Sequence, residues 1–236
     1  MARPLHIGIA ACSAEGAALC YRTICIEGAA LLGPHAHPEV SLHGASLADY
    51  VHCLDRGDRA GVAALMLGSA RRLAAAGADF VICPDNTIHA ALPLVLPDSP
   101  LPWLDIAAVV ADAALARGQR KLGLLGTRWL VDSAVYPAAL AQRGLACIRP
   151  HDAARDEVSR IIMDELVRGI FEPGSIARVE RIIAGLGERG CDAVILGCTE
   201  LPLIVDARRS VLPTLDSTRL LARAALRRAV ASGSDR

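Results

Sequence analysis

The most constraining feature of this sequence is that it repeats itself once, over roughly half its length. Three pairs of segments match in the same order, at offsets of 115, 113 and 111 residues. The pairs are HIGIAACS (6–13) with KLGLLGTR (121–128), GADFVICPDNT (77–87) with GCDAVILGCTE (190–200), and LPWLDIAAVVADAAL (101–115) with LPTLDSTRLLARAAL (212–226). A single long period predicts two similar halves and does not fit a solenoid of short repeats.

Within each half, Ala-, Leu- and Arg-rich stretches alternate with short apolar runs. This alternation predicts βαβ units whose parallel strands are buried on both faces. The predicted helices are 15–31, 58–76, 106–117, 132–143, 155–171, 176–188 and 217–231. The predicted strands are 6–11, 39–43, 79–83, 101–104, 121–126, 146–149, 192–197 and 212–215.

The predicted fold class is therefore α/β, with two pseudo-symmetric lobes that each contain a mostly parallel sheet flanked by helices. We expect 1–105 and 211–236 to form the N-terminal lobe and 106–210 to form the C-terminal lobe. Ligands of open α/β sheets bind beyond the carboxyl ends of the strands. We therefore expect the active site in the cleft between the lobes. The polar turns that follow strands are 13–15, 85–87, 127–128 and 198–200.

Composition excludes several functions. The net charge is zero and aromatic residues make up 3% of the chain, which disfavours nucleic-acid binding. No apolar stretch is long enough for a membrane span. Eight scattered cysteines without a CxxC pair, and seven histidines without HxxxH spacing, predict reduced thiols in the cytoplasm and no metal site. The single lysine, Lys121, stands at the entry end of a predicted strand, which disfavours pyridoxal phosphate, and we expect no cofactor.

Superposing the two halves assigns chemistry to two positions. GADFVICPDNT lies on GCDAVILGCTE, so Asp85 matches Cys198, whereas Cys83 matches Leu196 inside the strand. This register predicts that Cys83 is a buried, inert thiol and that Asp85 and Cys198 are a pair of titratable groups. A base on one side of a carbon and an acid on the other suits racemisation.

Each of these residues also has a purely structural interpretation. The structural alternative for Asp85 is to cap the helix that follows it, and that for Cys198 is to be a small buried hydrophobe. His89 lies four residues after Asp85, on the same helical face. It is either a third catalytic group or a histidine bonded to the backbone.

Four stretches, taken in order, resemble the aspartate/glutamate racemase family. They are IGIAACSAEGAALCYRTI, VICPDNTIH, LGLLGT…VY and ILGCTELPLI, and together they extend from about residue 5 to 228. The resemblance implies two pseudo-symmetric α/β lobes, frequent dimers and no cofactor. It also implies paired catalytic cysteines, of which the second matches Cys198. The first would fall where this sequence has Asp85.

The polar residues of the turns are the expected substrate contacts. The resemblance places Arg168 at a family lysine that grips the distal carboxylate of aspartate. The family's arginine for the same carboxylate has no match between His37 and Val51. The predicted substrate-binding residues are Ser13, Asn86, Thr87, Thr127, Arg168, Thr199 and Glu200, and the predicted catalytic residues are Cys198, Asp85 and His89.

Three functions remain open at this point. The first is a cofactor-independent amino-acid racemase or epimerase with Cys198 and Asp85 as its acid–base pair. The second is a single-cysteine decarboxylase or cis–trans isomerase of a small carboxylic acid. The third is a catalytically degenerate paralogue that binds a small carboxylate. In each case we expect an amino acid or related carboxylate as ligand, a homodimer, and neither nucleic-acid nor membrane binding.

Overall fold

The computed structural model describes residues 3–231 and divides them into two compact units. The first unit extends to Ile106 and resumes at Thr218, and the second is Ala107–Ser217. The first boundary lies within one residue of the predicted position. The second lies further along the chain than predicted, because the strand at Thr214–Asp216 pairs with the second unit's sheet.

The first unit contains four parallel strands in the order β2-β1-β3-β4. They are β1 (Ile7–Ala11), β2 (Val40–Gly44), β3 (Phe80–Ile82) and β4 (Trp103–Leu104). In the central pair, Gly8 of β1 is opposite Val81 of β3. The central strands β1 and β3 are buried throughout, because helices cover both faces of a parallel sheet.

The second unit repeats this arrangement strand for strand. Its strands are β5 (Lys121–Leu125), β6 (Ala146–Ile148), β7 (Ala193–Leu196) and β8 (Thr214–Asp216), in the order β6-β5-β7-β8. Gly123 of β5 is opposite Val194 of β7, as Gly8 is opposite Val81. The predicted α/β duplication is confirmed, with each strand of the first sheet matching the strand four places later.

Equivalent aspartates fix the amino ends of the central strands. Asp79 accepts a hydrogen bond from the backbone N–H of His6 at 2.7 Å, directly before β1. Asp192 accepts from the N–H groups of Arg120 and Lys121, at 2.7 and 3.2 Å, at the start of β5. The repeat therefore preserves a hydrogen-bonding arrangement as well as an apolar pattern.

Helices cover both sheets. Those of the first unit are α1 (Ala14–Leu32), α2 (Leu47–Asp55), α3 (Arg59–Ala75), the short α4 (Leu92–Val95) and α11 (Ser217–Ala231, which begins at the boundary). Short 3₁₀ turns at Thr87–Ala91 and Leu96–Asp98 flank α4. The sequence analysis did not predict α2, in which Tyr50 is the only fully buried residue.

The helices of the second unit follow the same plan. They are α5 (Ile106–Ala116, which begins at the boundary), α6 (Arg128–Val131), α7 (Val135–Ala141), α8 (Asp152–Arg160), α9 (Pro173–Glu188) and α10 (Leu201–Ile204). No helix among residues 3–231 is both long and apolar enough to cross a membrane.

The prediction of one continuous α-helix over 155–171 is wrong. Regular α-helix stops at Arg160 and is followed by a π-helical turn at Ile161–Glu165 and a 3₁₀ turn at Leu166–Arg168. Gly169, with φ of 73°, ends the segment in the left-handed conformation that glycine adopts at little cost. The buried side chains Ile161 and Ile162 hold the irregular turn in the core.

Candidate active site

In each unit, two candidate residues follow the two central strands. In the first unit Ser13 follows β1 and Asp85 follows β3, and these strands are paired in parallel. In the second unit Thr127 follows β5 and Cys198 follows β7, also paired in parallel. Carboxyl ends of parallel strands meet at one edge of a sheet, so each unit presents a polar turn pair at the edge where α/β proteins bind ligands.

Ser13 and Thr127 perform the same local task. The Ser13 hydroxyl oxygen accepts from the N–H of Gly16 at 3.3 Å and caps α1. The Thr127 hydroxyl oxygen accepts from the N–H of Leu130 at 3.4 Å and caps α6. Both residues were predicted to bind substrate, and the structure gives them this second role as N-caps.

Cys83 is the buried thiol that the register predicted. Its side chain is fully buried at the end of β3, and burial raises the pKa of the thiol well above its usual range. The nearby carboxylate of Asp85 adds to that rise, because a second negative charge disfavours the thiolate. Cys83 is therefore a poor nucleophile and a poor base.

Asp85 is half-buried just after the same strand, and its carboxylate organises the turn that follows. Its Oδ1 atom accepts hydrogen bonds from the N–H groups of Thr87 and Ile88, at 3.0 and 3.2 Å. This is the capping arrangement anticipated as the structural alternative. Bonds of this kind stabilise the charged carboxylate. The capping role does not remove the acid–base role, since a carboxylate has several acceptor positions.

His89 takes the structural role that was its alternative. Its Nδ1–H donates to the carbonyl oxygen of Asp85 at 2.7 Å, and its Nε2 accepts from the N–H of Ile106 at 3.4 Å. The ring is 4% exposed, and one neutral tautomer satisfies both bonds. In this geometry His89 fixes the turn that carries Asp85 and has no ring nitrogen left for substrate. The catalytic role of His89 stays a prediction.

Asn86 and Thr87 lie within the same turn. Asn86 is almost fully buried, whereas Thr87 is half-buried and donates its backbone N–H to Asp85. Both side chains are thus held by a turn whose backbone is fixed at Asp85 and His89. This suits residues that must position a ligand without moving.

The second unit contains the most chemically suggestive cluster. The Sγ atom of Cys198 is 2.8 Å from Oε2 of Glu200, and the Thr199 hydroxyl donates to the same oxygen at 2.7 Å. Cys198, Glu200 and Thr199 are only 9%, 4% and 6% exposed, respectively. A buried carboxylate needs such donors, because an unpaired charge in the interior is costly. The Glu200 carboxylate thus lies within hydrogen-bonding distance of the Cys198 thiol.

Arg168 is exposed at the end of the irregular segment, next to Gly169. It forms no ion pair within the described part of the chain, whereas nearby charges do. Arg160 bonds Glu157 and Glu165 at 3.0 and 2.9 Å and so ties α8 to the π-helical turn. Leu166, two residues before Arg168, belongs to the same buried cluster as Cys198. The irregular segment Ile161–Arg168 is thus fixed to the core, while the guanidinium of Arg168 is exposed to solvent.

One residue near the site went unrecognised in the sequence. Tyr50 of α2 is fully buried, and burial is the main cause that raises the pKa of its hydroxyl, with Cys83, Cys12 and Asp85 adding to it. It therefore lies close to the turn that carries Asp85. Its spacing from Leu47 and Leu54 on one helical face was the signal in the sequence. Among residues 3–231, no group of three or more His, Cys, Asp or Glu side chains is arranged to hold a metal ion.

Comparison with known proteins identifies the family of this chain. Residues 9–225 match the family model described as Asp/Glu/Hydantoin racemase, and this range includes every candidate residue named above. The chain belongs to the Asp/Glu/hydantoin racemase family. The resemblance noted in the sequence is confirmed.

Members of this family with known structures share the fold. A proposed Asp/Glu racemase from Yersinia pestis is 31% identical, with a TM-score of 0.88 over 96% of this chain and 99% of that one. An aspartate racemase homologue from Pyrococcus horikoshii OT3 is 27% identical, with a TM-score of 0.80 over 99% of this chain and 100% of that one.

One relative with a similar sequence is a glutamate racemase. A glutamate racemase of Thermus thermophilus is 31% identical over 156 residues, which is 65% of this chain and 56% of the relative. The match thus covers little more than half of that relative's length. Within the Asp/Glu/hydantoin racemase family, the resemblance leads us to expect a thiol where this chain has Asp85. The second expected thiol, Cys198, is present.

Proposed function

We propose that this protein is a cofactor-independent amino-acid racemase, an isomerase that moves the α-proton of its substrate between two faces. Family membership supports the reaction class. The observation that carries the proposal is the buried hydrogen bond between the Cys198 thiol and the Glu200 carboxylate. A thiol that serves as acid and base needs a partner that can take up and return its proton.

On one face of the α-carbon, Cys198 is the proton donor and acceptor. As a thiol it gives a proton to the planar intermediate, and the resulting thiolate recovers one by way of Glu200 at 2.8 Å. Thr199, bonded to the same carboxylate oxygen, holds Glu200 in the orientation this requires. In the reverse direction Glu200 takes the proton from Cys198, and the thiolate removes the α-hydrogen.

On the other face we propose Asp85 as the partner of Cys198. Two backbone N–H groups stabilise its carboxylate, so it starts as a base and the Cys198 thiol starts as the acid. A carboxylate is a weaker base than a thiolate toward an α-C–H bond. We therefore expect unequal rates in the two directions, or a substrate whose α-carbon is more acidic than usual.

The remaining polar residues serve to bind the substrate. We propose that Ser13, Asn86, Thr87, Thr127 and Thr199 hold its α-carboxylate and α-amine, and that exposed Arg168 meets the side chain. The relatives named above include a glutamate racemase and an aspartate racemase homologue. An acidic side chain is therefore the first choice, and the extra negative charge of Asp85 weighs against the shortest one, aspartate.

The decisive experiment uses solvent deuterium. The full-length protein is incubated in D₂O with each enantiomer of a panel of amino acids, and loss of the α-proton signal is followed by NMR. We expect exchange with at least one amino acid, and a loss of exchange of about 100-fold or more in Cys198→Ala. Cys147→Ala is the matched control, since Cys147 is a half-buried thiol of the same unit. The absence of exchange with every amino acid would overturn the proposal.

A second function is favoured by one observation. The position where the family pattern leads us to expect a thiol carries a helix-capping carboxylate, which leaves a single candidate thiol in the site. One thiol is sufficient for a decarboxylase or a cis–trans isomerase of a small carboxylic acid. The same NMR experiment distinguishes them, because a decarboxylase releases CO₂ and leaves one deuteron in its product.

We also propose that the protein is a homodimer in the cytoplasm. Support for the compartment comes from eight scattered cysteines, none of which forms a disulfide within residues 3–231. Light scattering coupled to size exclusion measures the oligomeric state, and a monomeric mass at micromolar concentration would contradict the dimer.

A further inference from the structure

A groove of about 580 Å³ lies between α8 and α9 in the second unit, apart from the polar turns described above. Sites for small organic molecules commonly enclose about 300–1,000 Å³. The two helices are joined at one end by the ion pair between Glu157 and Arg178, at 2.9 Å. At the other end, Arg189 donates to the carbonyl oxygen of Arg149 at 2.7 Å.

The floor of this groove is apolar. It is formed by the buried residues Pro150 and Leu186 with the partly buried Ala154 and Ile182. Gly185 opens it further, because a side chain added at this position would meet no atom within 4 Å. An apolar floor beside open space suits the hydrocarbon body of a ligand, which gains about 25 cal/mol per Å² of apolar surface removed from water.

The rim of the groove carries an excess of positive charge. Three arginines and two glutamates line it, and the pairing of Arg178 with Glu157 neutralises one of each. Arg181 and Arg189 then remain with Glu188, and neither arginine has an ion-pair partner anywhere in residues 3–231. Both donate only to backbone carbonyl oxygens. The surplus is one positive charge, with the imidazole of His151 at the margin.

We propose that this groove is a second binding site, for an amphipathic monocarboxylate with an apolar body and one carboxylate group. The body lies on the floor at Leu186 and Gly185. The carboxylate pairs with the guanidinium of Arg181, which matches its planar, two-oxygen geometry and uses only Nε for its backbone bond. One surplus charge favours a monoanion over a dianion.

The test uses 4-(trifluoromethyl)phenylacetate as the probe and its neutral amide as the matched ligand. Binding to the full-length protein is followed by ¹⁹F NMR titration. We expect the amide to bind about tenfold more weakly, since it cannot form the charged pair. Arg181→Gln is expected to weaken the carboxylate by about five- to tenfold.

A filling substitution tests the location of the probe. Gly185→Leu places a side chain in the groove and also favours the helix, so we expect it to fold and to weaken binding by at least about tenfold. Gly174→Leu is the matched control, because Gly174 is on the same helix, equally open, and outside the groove. Arg209→Gln, at an exposed arginine of the same unit, controls for charge.

The outcomes are distinct from those of the racemase experiment, because no turnover is measured. Unchanged binding in both controls with weakened binding in Arg181→Gln and Gly185→Leu supports the second site. Equal binding of acid and amide, or full binding in Gly185→Leu, overturns it, and so does the absence of any binding at millimolar probe.

Discussion

Replacing Glu200 with Gln separates two effects that the carboxylate has on Cys198. The substitution keeps the shape of a side chain that is only 4% exposed and lies 2.8 Å from the thiol and 2.7 Å from the Thr199 hydroxyl. It removes the negative charge and with it the proton acceptor. If Glu200 exchanges protons with Cys198, turnover must fall even though the thiol remains.

The charge also acts on the thiolate directly. Two unit charges about 4 Å apart repel by about 4 kcal/mol at an effective dielectric constant of about 20. A third of that repulsion corresponds to about a tenfold change in the population of thiolate. Glu200→Gln should therefore make Cys198 more reactive toward an alkylating reagent, by about tenfold at neutral pH. Loss of the proton acceptor should lower kcat by about 100-fold.

The assay compares both quantities in the same preparations. Iodoacetamide labelling of Cys198 is quantified by mass spectrometry of the peptide, and turnover is measured by α-proton exchange in D₂O. Glu180→Gln, at an exposed glutamate of the same unit, is the control and should change neither. A fall in turnover accompanied by a matching fall in the free energy of unfolding, measured in urea, would show that Glu200 merely supports the fold of the turn. Unchanged turnover would refute its role in proton transfer.

Two further predictions concern the first unit. Asp85→Cys should raise racemisation of acidic amino acids while lowering the free energy of unfolding by about 1 kcal/mol, because the cap at Thr87 and Ile88 is lost. Kinetics with both enantiomers and urea unfolding measure the two effects. Glu27→Gln should lower the free energy of unfolding at pH 7 by less than about 1 kcal/mol, since both members of its ion pair with Arg223 are partly exposed. Urea unfolding at several pH values measures that loss.

The stabilisation by the ion pair between Glu27 and Arg223 depends on pH, and the sign of that dependence is definite. Hydrogen bonds from Arg223 lower the pKa of the Glu27 carboxyl below its ordinary value of 4.5. The stabilisation is therefore complete above that value and disappears as the pH falls through the lower folded-state pKa. The wild type and Glu27→Gln should converge in stability at acid pH, and a gap that persists there would contradict the ion-pair explanation. For Asp85→Cys, no gain with acidic amino acids would contradict the equivalence with a family thiol.

The sequence was most informative where backbone geometry and burial act together. Eight strands could be predicted because each is a short apolar run in a repeated context, and the matching positions of Asp79 and Asp192 follow from the same repeat. Helix α2 was missed although Leu47, Tyr50 and Leu54 recur at the spacing of one helical face. The π-helical turn was not predicted, because Ile161 and Ile162 continue the apolar pattern of a regular helix.

The chemistry of individual side chains was harder to predict than the strands that carry them. The bonding of His89 depends on the N–H of Ile106, which is 17 residues away in sequence and follows β4. The bond between Cys198 and Glu200 depends on side-chain rotamers at the end of β7. Sequence register named the residues at the site, but it could not assign their partners, because these come from three-dimensional packing.

The two units show where a duplicated fold is free to change. Ser13 and Thr127 keep one task, because each must cap a helix that begins directly after a central strand. Asp85 and Cys198 share a register position but differ in their bonds. Asp85 accepts from the N–H groups of its turn, whereas the Cys198 thiol lies against Glu200. The backbone requires a capping side chain at Ser13 and at Thr127. The residue types at Asp85 and Cys198 can instead differ to suit the chemistry. A racemase needs unlike proton states on its two faces at each step, so a fixed carboxylate and a thiol with its own proton acceptor are a workable division of the task.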